Sequence, residues 1–388
     1  MSRLRVVHAA KFYPPVAGGM ETVVGDLCEG TADAWDVRVV AANDGPRTVR
    51  ERRGDVTVDR AGTWATRHAV PLCPAFPWLL WKERADCVVL HEPNPVAGSS
   101  VFLHMPAPRL IVWHHADLLR PAWAQHTYGL MQRALYRRAE CVIVSNPRLV
   151  DDSALVRHAR RIAVIPFGVD VERYRRQDAD ERARVERIRS EIKGPRVLFV
   201  GRLVYYKGVH VLLDAMARCE GSLVLVGDGP LESDLRRQAD ALGIAHRVVF
   251  AGRVSDLDLP AYYQAADVFV LPSIARTEAF GVVQIEAMAA GVPVVSTNLP
   301  TGVPWVNRDG VSGLVVPPED SGALADAIRT LETNAELRAR LASGASARAD
   351  ALFTRGRMVD AFRDVVETAV RAPAELDAHL ARAREALS

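Results

Sequence analysis

The fold of this 388-residue chain is decided by one stretch, Asp267-Val-Phe-Val-Leu-Pro-Ser273 followed by Thr277-Glu-Ala-Phe-Gly-Val-Val-Gln-Ile-Glu-Ala-Met-Ala-Ala-Gly291. The first part is an apolar run of strand length that ends at a proline, and the second part has the apolar spacing of a helix. Gly291 and Pro293 are typical of the residues just beyond a helix C-terminus. A buried strand followed by a helix is the repeating unit of parallel α/β sheets, which is the fold class we predict.

Two carboxylates, Glu278 and Glu286, lie eight residues apart in this stretch. The pattern places Glu278 on the loop before the helix and Glu286 about a turn and a half into it. Between them the helix begins after Gly281, and its free N–H groups favour an anion. An anion site between two carboxylates suits a ligand with phosphate in its middle and hydroxyl-bearing rings at both ends, such as a nucleotide sugar. Glutamates at this spacing also occur on solvated helix faces, so neighbouring motifs must decide between the two interpretations.

A chain of 388 residues is too long for one ordinary core, so its length predicts two domains. Its 49 % hydrophobic and 25 % charged residues are typical of a globular protein. No apolar run reaches the roughly 18–20 residues of a membrane span, and the chain enters a strand at once, so we expect no signal peptide. The five cysteines are scattered and odd in number. This disfavours zinc and disulfides and predicts a reducing, cytoplasmic location.

The net charge of +2 is distributed unevenly. Residues 1–168 carry 21 Lys and Arg against 16 Asp and Glu, whereas residues 169–388 carry 28 against 31. This excess is too mild for nucleic acid, and no basic stripe with interleaved aromatic residues accompanies it. It permits contact of the first half with an anionic membrane, for which the arginine clusters 133/137/138 and 157/160/161 are candidates. We therefore expect the protein in the cytoplasm, on the inner face of the cell membrane.

Strand-like and helix-like segments alternate in two series that meet near residue 168. Apolar runs predict strands at 4–10, 37–41, 56–60, 87–91, 110–114, 141–145 and 162–165, then at 197–200, 223–226, 248–250, 268–271, 294–296 and 314–316. We predict Rossmann-like domains at 1–168 and 169–354, with parallel sheets that face a central cleft. Residues 355–388 are predicted as helices, the first packing back on the N-terminal domain and the last loosely attached.

Several motifs follow predicted strands, at the edge where such sheets bind ligands. Arg202 and Lys207 lie in Gly201-Arg-Leu-Val-Tyr-Tyr-Lys-Gly208 and suit a diphosphate, although two solvated loop cations are the plainer interpretation. Gly18 and Gly19 would let backbone N–H groups approach a ligand, or would only form a tight turn. Backbone groups around Gly227 and around Gly252-Arg253-Val254 are placed to line a nucleotide pocket.

Val112-Trp-His-His-Ala-Asp117 ends another predicted strand. Because neighbouring side chains on a strand point to opposite faces, one histidine is expected to reach the ligand, with Asp117 beside it. The residues alone leave His114 and His115 both open.

Together these motifs resemble the retaining GT-B glycosyltransferases with the Glu-x7-Glu motif, in particular bacterial mannosyl- and rhamnosyltransferases of surface polysaccharide synthesis. The resemblance rests on Glu278-x7-Glu286, Gly201-Arg…Lys207-Gly208, Gly227-Asp-Gly-Pro230, the Gly18-Gly19 loop and Ile165-Pro-Phe-Gly-Val-Asp170. It implies that Glu278 binds hydroxyls of the donor sugar and that Glu286 binds the ribose. The backbone of Ala279, Phe280, Gly281 and Val282 would approach the sugar and the diphosphate, and Arg202 and Lys207 would hold the diphosphate. The backbone near Arg253 and Val254 would hold the base, and His115 would lie by the anomeric carbon.

The resemblance implies transfer of a hexose, with mannose or a deoxyhexose favoured, from a nucleoside-diphosphate sugar to a glycan or lipid-linked acceptor. It implies front-face substitution with retention, needing no metal because Arg202 and Lys207 supply the positive charge, and no cofactor. A UDP-glucose or UDP-N-acetylglucosamine donor, a related epimerase or phosphorylase, and a non-catalytic sugar-nucleotide-binding scaffold are the alternatives.

Overall fold

The computed structural model describes residues 3–16, 18–67, 70–116 and 122–385. They form two units, one made of the described residues up to Phe167 together with those from Arg355 onward, the other of Gly168–Thr354. Each unit is built on a sheet of mostly parallel strands.

The first unit alternates apolar strands with helices that cover the sheet. Its strands are β1 Arg5–Ala9, β2 Asp36–Ala42, β3 Val49–Arg53, β4 Val56–Ala61, β5 Ala65–Arg67, β6 Val70–Leu72, β7 Cys87–Glu92, β8 Arg109–His114, β9 Cys141–Val144 and β10 Ile162–Val164. The helices between them are α1 Gly19–Thr31, α2 Phe76–Trp81, α3 Pro95–Leu103, α4 Ala122–Arg138 and α5 Arg148–Asp152. The sheet order is β10-β9-β8-β7-β1-β2-β4-β3. The central strand β7 is buried at every position, as expected of a strand covered on both faces.

The second unit repeats the same alternation. Its elements are α6 Val171–Arg175, α7 Ala179–Glu191, β11 Arg196–Val200, α8 Val209–Met216, β12 Ser222–Val226, α9 Glu232–Ala241, β13 Val248–Gly252, α10 Leu259–Ala265, β14 Val268–Leu271, α11 Val282–Ala289, β15 Val294–Thr297, α12 Val303–Val306, β16 Gly313–Val316, α13 Ser321–Thr333 and α14 Ala335–Leu352. The strands run parallel in the order β13-β12-β11-β14-β15-β16. The loops that follow β11 and its neighbours β12 and β14 therefore leave the same edge of the sheet.

Two C-terminal helices, α15 Arg355–Arg371 and α16 Leu376–Glu385, complete the first unit. The apolar face of α15 packs on α1, where Val359 lies so close to Gly30 that a Cβ there would be 2.7 Å from its methyl group. Helix α16 is better anchored than its composition predicts. It buries Leu376 fully, and its Asp377 accepts two hydrogen bonds from Arg161 at 2.8 and 2.9 Å.

The sequence analysis missed the edge strand β3, which is antiparallel to β4, and the short antiparallel pair β5–β6. Strand β3 is Val-Arg-Glu-Arg-Arg and has no apolar alternation to reveal it. It is held to its neighbour partly by charge, since Arg50 forms two hydrogen bonds with Asp59 at 2.9 and 2.7 Å. Within the described ranges, no helix combines the length and apolar character that crossing a bilayer requires.

Candidate active site

Lys207 and Glu278 form an ion pair at the carboxyl edge of the second unit's sheet. Lys207 ends a short 3-10 turn after β11, and Glu278 lies on the loop after the adjacent strand β14. The Lys207 Nζ donates to Glu278 Oε2 at 2.5 Å, and Ser273 Oγ donates to the same oxygen at 3.1 Å. Only about a tenth of each charged side chain is exposed, 11 % for Lys207 and 10 % for Glu278. The structure thus brings together two side chains that the sequence analysis assigned to neighbouring parts of one ligand.

The loops around this pair are packed backbone to backbone through glycines. Gly227 has a φ of 126°, and a Cβ there would lie 2.1 Å from the carbonyl oxygen of Gly201. The next loop residue, Asp228, accepts a hydrogen bond from the Leu203 N–H at 2.8 Å. Gly227 therefore holds the loop after β12 against the loop that carries Arg202, an exposed residue. Only glycine, which has no Cβ, allows the two loop backbones to approach this closely.

Helix α11 begins at this edge with its first turn uncapped by a side chain. Its N-cap Gly281 has a φ of 73°, and no side-chain cap hydrogen bond is made there. The ring of Phe280 packs inward, with its centroid 6.2 Å from those of both Trp305 and Phe353. The Phe280 ring is therefore part of the core. The groups of this segment that can bind an anion are the N–H groups at the start of the helix. Ala279 and Val282, on either side, are half-buried.

Glu286 lies on α11 and is held by tyrosines that the sequence analysis did not identify. Tyr263 Oη donates to Glu286 Oε2 at 2.6 Å. Burial raises the pKa of Glu286, while hydrogen bonds from Tyr263 and Tyr174 oppose that effect. The rings of Tyr174 and Tyr263 meet edge to face at 5.6 Å. A fully buried tyrosine hydroxyl needs a polar partner, but its sequence position does not reveal which one.

Arg253 and Val254 follow β13 at the same edge. Arg253 is exposed and Val254 is half-buried, and neither is brought into the cluster around Lys207 by a described side-chain contact. The neighbouring Gly252 carbonyl accepts a hydrogen bond from the Gly227 N–H at 2.7 Å. Their backbone thus adjoins the glycine loop.

In the first unit, Gly18 and Gly19 form the start of α1 and are exposed. A side chain at Gly18 would collide with the carboxylate of Glu21, which is buried. Lys11 lies beside Glu21, and burial lowers its pKa while the charge of Glu21 opposes the shift. Lys11 and Glu21 are polar residues at this edge that sequence reasoning missed. Asp117 lies outside the described residues.

The two neighbouring histidines point to opposite faces of the first sheet. His114 makes a 2.7 Å hydrogen bond with the Tyr136 hydroxyl of α4. His115 instead lies edge to edge with His91, with ring centroids 5.3 Å apart and a 3.0 Å contact from His91 Nδ1 to His115 Nε2. His91 in turn contacts His8 Nδ1 through its Nε2 at 3.0 Å. His115 is therefore the histidine that shares a polar cluster at the carboxyl edge, with two histidines that the sequence analysis did not consider.

Glu92, the last residue of β7, is a further buried carboxyl group that sequence reasoning missed. It is fully buried and accepts hydrogen bonds from Tyr128 Oη at 2.7 Å and Gln132 Nε2 at 2.8 Å. Its backbone carbonyl accepts from the His115 N–H at 2.9 Å. Burial raises the pKa of Glu92 to about 7, against the lowering effect of these side-chain donors.

Comparison with known proteins gives matches along both halves of the chain. Residues 181–348 match the family described as glycosyl transferases group 1, and residues 18–168 match the glycosyl transferase 4-like domain. The O-antigen chain mannosyltransferase C of Escherichia coli is 31 % identical over 94 % of this chain and 98 % of its own length. The D-rhamnosyltransferase WbpZ of Pseudomonas aeruginosa is 32 % identical over 90 % of this chain and 92 % of its own.

Solved structures share the fold. Sucrose-phosphate synthase from Thermosynechococcus elongatus superposes with a TM-score of 0.78 at 24 % identity, over 95 % of this chain and all of that one. Anabaena Alr3699/HepE in complex with UDP-glucose superposes with a TM-score of 0.76 at 23 % identity, over 94 % of this chain and all of that one. Both likenesses confirm the predicted GT-B fold.

Proposed function

This chain belongs to the group 1 glycosyltransferases, and we propose that it moves a hexose, with retention, from a nucleoside-diphosphate sugar to a glycan or lipid-linked acceptor. The observation that carries the proposal is the Lys207–Glu278 pair beside the uncapped start of α11. A cation, a carboxylate and a helix N-terminus at one sheet edge match the diphosphate and the sugar hydroxyls of such a donor.

In the proposed reaction the acceptor oxygen bonds to the anomeric carbon on the face from which the diphosphate oxygen departs. The acceptor proton passes to that departing oxygen, so no separate base is needed. Lys207, the N–H groups of α11 and the exposed Arg202 stabilise the charge that grows on the diphosphate. Because these groups supply the positive charge, we propose that the reaction requires neither metal nor cofactor.

The remaining residues are assigned to parts of the substrates. Glu278 bonds sugar hydroxyls once its partner Lys207 turns to the diphosphate, and Glu286, oriented by Tyr263, bonds the ribose. His115 is assigned to the reacting carbon of the sugar.

For the donor we propose GDP-mannose or a GDP-deoxyhexose. Support comes from the two relatives that match nearly the whole chain, which are named as a mannosyltransferase and a D-rhamnosyltransferase. A UDP-sugar is the second candidate, and a non-catalytic scaffold that binds sugar nucleotides is the alternative from another class.

We also propose contact of the first unit with anionic lipid on the inner face of the cell membrane. Arg133, Arg137 and Arg157 are exposed and lie around His158, whose pKa is lowered by burial and then by these three positive charges. Such a cluster of exposed cations suits anionic headgroups. Arg161 does not belong to it, because it pairs with Asp377.

The deciding experiment measures nucleoside-diphosphate release by the purified chain in EDTA. The donors are GDP-mannose, a GDP-deoxyhexose, UDP-glucose and UDP-N-acetylglucosamine. We expect release from a GDP-sugar, and a fall of about 10²-fold in Lys207→Ala, as when an electrostatic donor is removed. The matched control Lys193→Ala, an exposed lysine, should keep wild-type release.

Three outcomes would contradict parts of the proposal. Binding of these nucleotides without release would favour the scaffold. Binding of UDP at least about tenfold tighter than GDP, or about 1.4 kcal/mol, would remove the mannosyl assignment. Activity that appears only when a divalent metal is added would show that Arg202 and Lys207 do not suffice.

A further inference from the structure

Three histidines on or directly after three neighbouring strands of the first sheet form one continuous row of imidazole contacts. His8 lies on β1, His91 on the adjacent strand β7, and His115 directly after β8. His8 Nδ1 is 3.0 Å from His91 Nε2, and His91 Nδ1 is 3.0 Å from His115 Nε2. The rings lie edge to edge and nearly coplanar, with centroids 5.3 Å apart in both steps, and all three residues are at most 4 % exposed. Both contacts thus have the distance of a hydrogen bond between two ring nitrogens.

The surroundings of the row keep its members neutral. Its two ends pack against aromatic rings, Phe362 beside His8 and Phe167 beside His115. Burial lowers the pKa of His8 and of His115 to about 3, and burial together with its two neighbours lowers that of His91 well below the usual value. A neutral imidazole carries one N–H and one bare nitrogen, so each ring can donate once and accept once.

These constraints allow only two proton arrangements. If His8 Nδ1 carries the proton, His91 must accept at Nε2 and donate from Nδ1, so that His115 accepts at Nε2 and carries its proton on Nδ1. If His91 donates to His8 instead, every ring carries its proton on Nε2, and His115 Nδ1 is bare. Any mixed arrangement sets two N–H groups or two lone pairs against each other and loses a buried hydrogen bond. The three tautomers are therefore coupled.

The outer ring nitrogens of the row are His8 Nε2 and His115 Nδ1, both buried and without a hydrogen-bond partner among the residues that the structure describes. We propose that His8 and His91 are positioning residues: the proton arrangement of the whole row, rather than of His115 alone, decides whether His115 Nδ1 presents a donor or an acceptor to a ligand. The role of His115 toward the sugar rests on the proposed function, but the coupling of the three rings does not.

The test is a ¹⁵N–¹H correlation of the full chain labelled with ¹⁵N-histidine, which distinguishes Nδ1–H, Nε2–H and doubly protonated rings. We expect His8, His91 and His115 to show the same ratio of Nδ1–H to Nε2–H at pH 7.5, because a ring that reverses alone loses a hydrogen bond. In His91→Phe, which keeps an aromatic ring but no ring nitrogens, the tautomer of His115 should no longer follow that of His8. The exposed His104→Gln serves as the control and should leave the three signals unchanged.

A second variant keeps the proposal testable if His91→Phe folds poorly. His91→Gln retains a donor and an acceptor and should again make the tautomer of His115 follow that of His8. In the donor-release assay, His91→Phe should lower kcat about tenfold with KM unchanged, and His91→Gln should recover most of it. Different tautomers among the three rings of the wild-type protein, or a His115 tautomer indifferent to His91→Phe, would overturn the proposal. Absence of donor release with coupled tautomers would count against the proposed function alone.

Discussion

Replacing Glu92 by glutamine should make the first unit more stable at alkaline pH and leave it almost unchanged at acidic pH. Glu92 is fully buried at the end of β7, among Tyr128, Gln132 and the backbone N–H of Asn94, which donates to it at 3.1 Å. No cation is among these partners, and burial raises its pKa from 4.5 to about 7. Ionising this carboxyl in the folded state is therefore costly, and glutamine has the same shape with no charge.

The direction and size of the change in the free energy of unfolding follow from the pKa of Glu92 in the folded state and in the unfolded chain. The folded state holds the Glu92 proton more tightly than the unfolded chain, so its stabilising contribution is fully present below pH 4.5 and is lost as the pH rises through about 7. The difference between the folded and unfolded pKa of Glu92 corresponds to a contribution of at most roughly 3 kcal/mol to the free energy of unfolding. We expect Glu92→Gln to raise the free energy of unfolding by about 1–3 kcal/mol at pH 8, and to change it little at pH 5.

Urea unfolding followed by tryptophan fluorescence provides the assay. Six of the seven tryptophans precede residue 168, so the signal reports mainly on the first unit. Tyr128→Phe is the companion variant. It removes a donor that lowers the pKa of Glu92, so it should destabilise the protein more at pH 8 than at pH 5. A Glu92→Gln effect that is the same at both pH values, or a loss of stability at pH 8, would refute the reasoning.

Two further outcomes follow from the structure. Tyr263→Phe removes the 2.6 Å hydrogen bond that orients Glu286, so calorimetry should show about tenfold weaker binding of GDP, and unchanged affinity would argue against a ribose role for this carboxylate. Replacing Arg133 and Arg137 together by glutamate should abolish sedimentation with phosphatidylserine vesicles at low salt. Sedimentation that survives both the substitution and 0.5 M salt would show that exposed arginines do not mediate the contact.

Local sequence patterns were sufficient to predict the architecture and to place several candidate residues on particular loops and helices. Apolar runs of strand length, helical spacing and the placement of glycine and proline act over a few residues, so they reveal strands and helices without knowledge of the fold. That is why the helix after Gly281 is found at Val282–Ala289, with Glu278 before it and Glu286 within it. The same logic failed at β3, because Val49–Arg53 is polar at nearly every position and is held to β4 partly by charge.

Which residues distant in sequence contact each other was decided only by the tertiary structure. Lys207 and Glu278 are 71 residues apart, and they meet because β11 and β14 are neighbours in a sheet whose order departs from chain order. His8, His91 and His115 likewise meet because β1, β7 and β8 are adjacent strands. A sequence pattern specifies which face or edge a side chain occupies, whereas strand order specifies what it meets there. The candidate residues could therefore be predicted one by one, but their ion pair, their tyrosine supports and their shared protons could not.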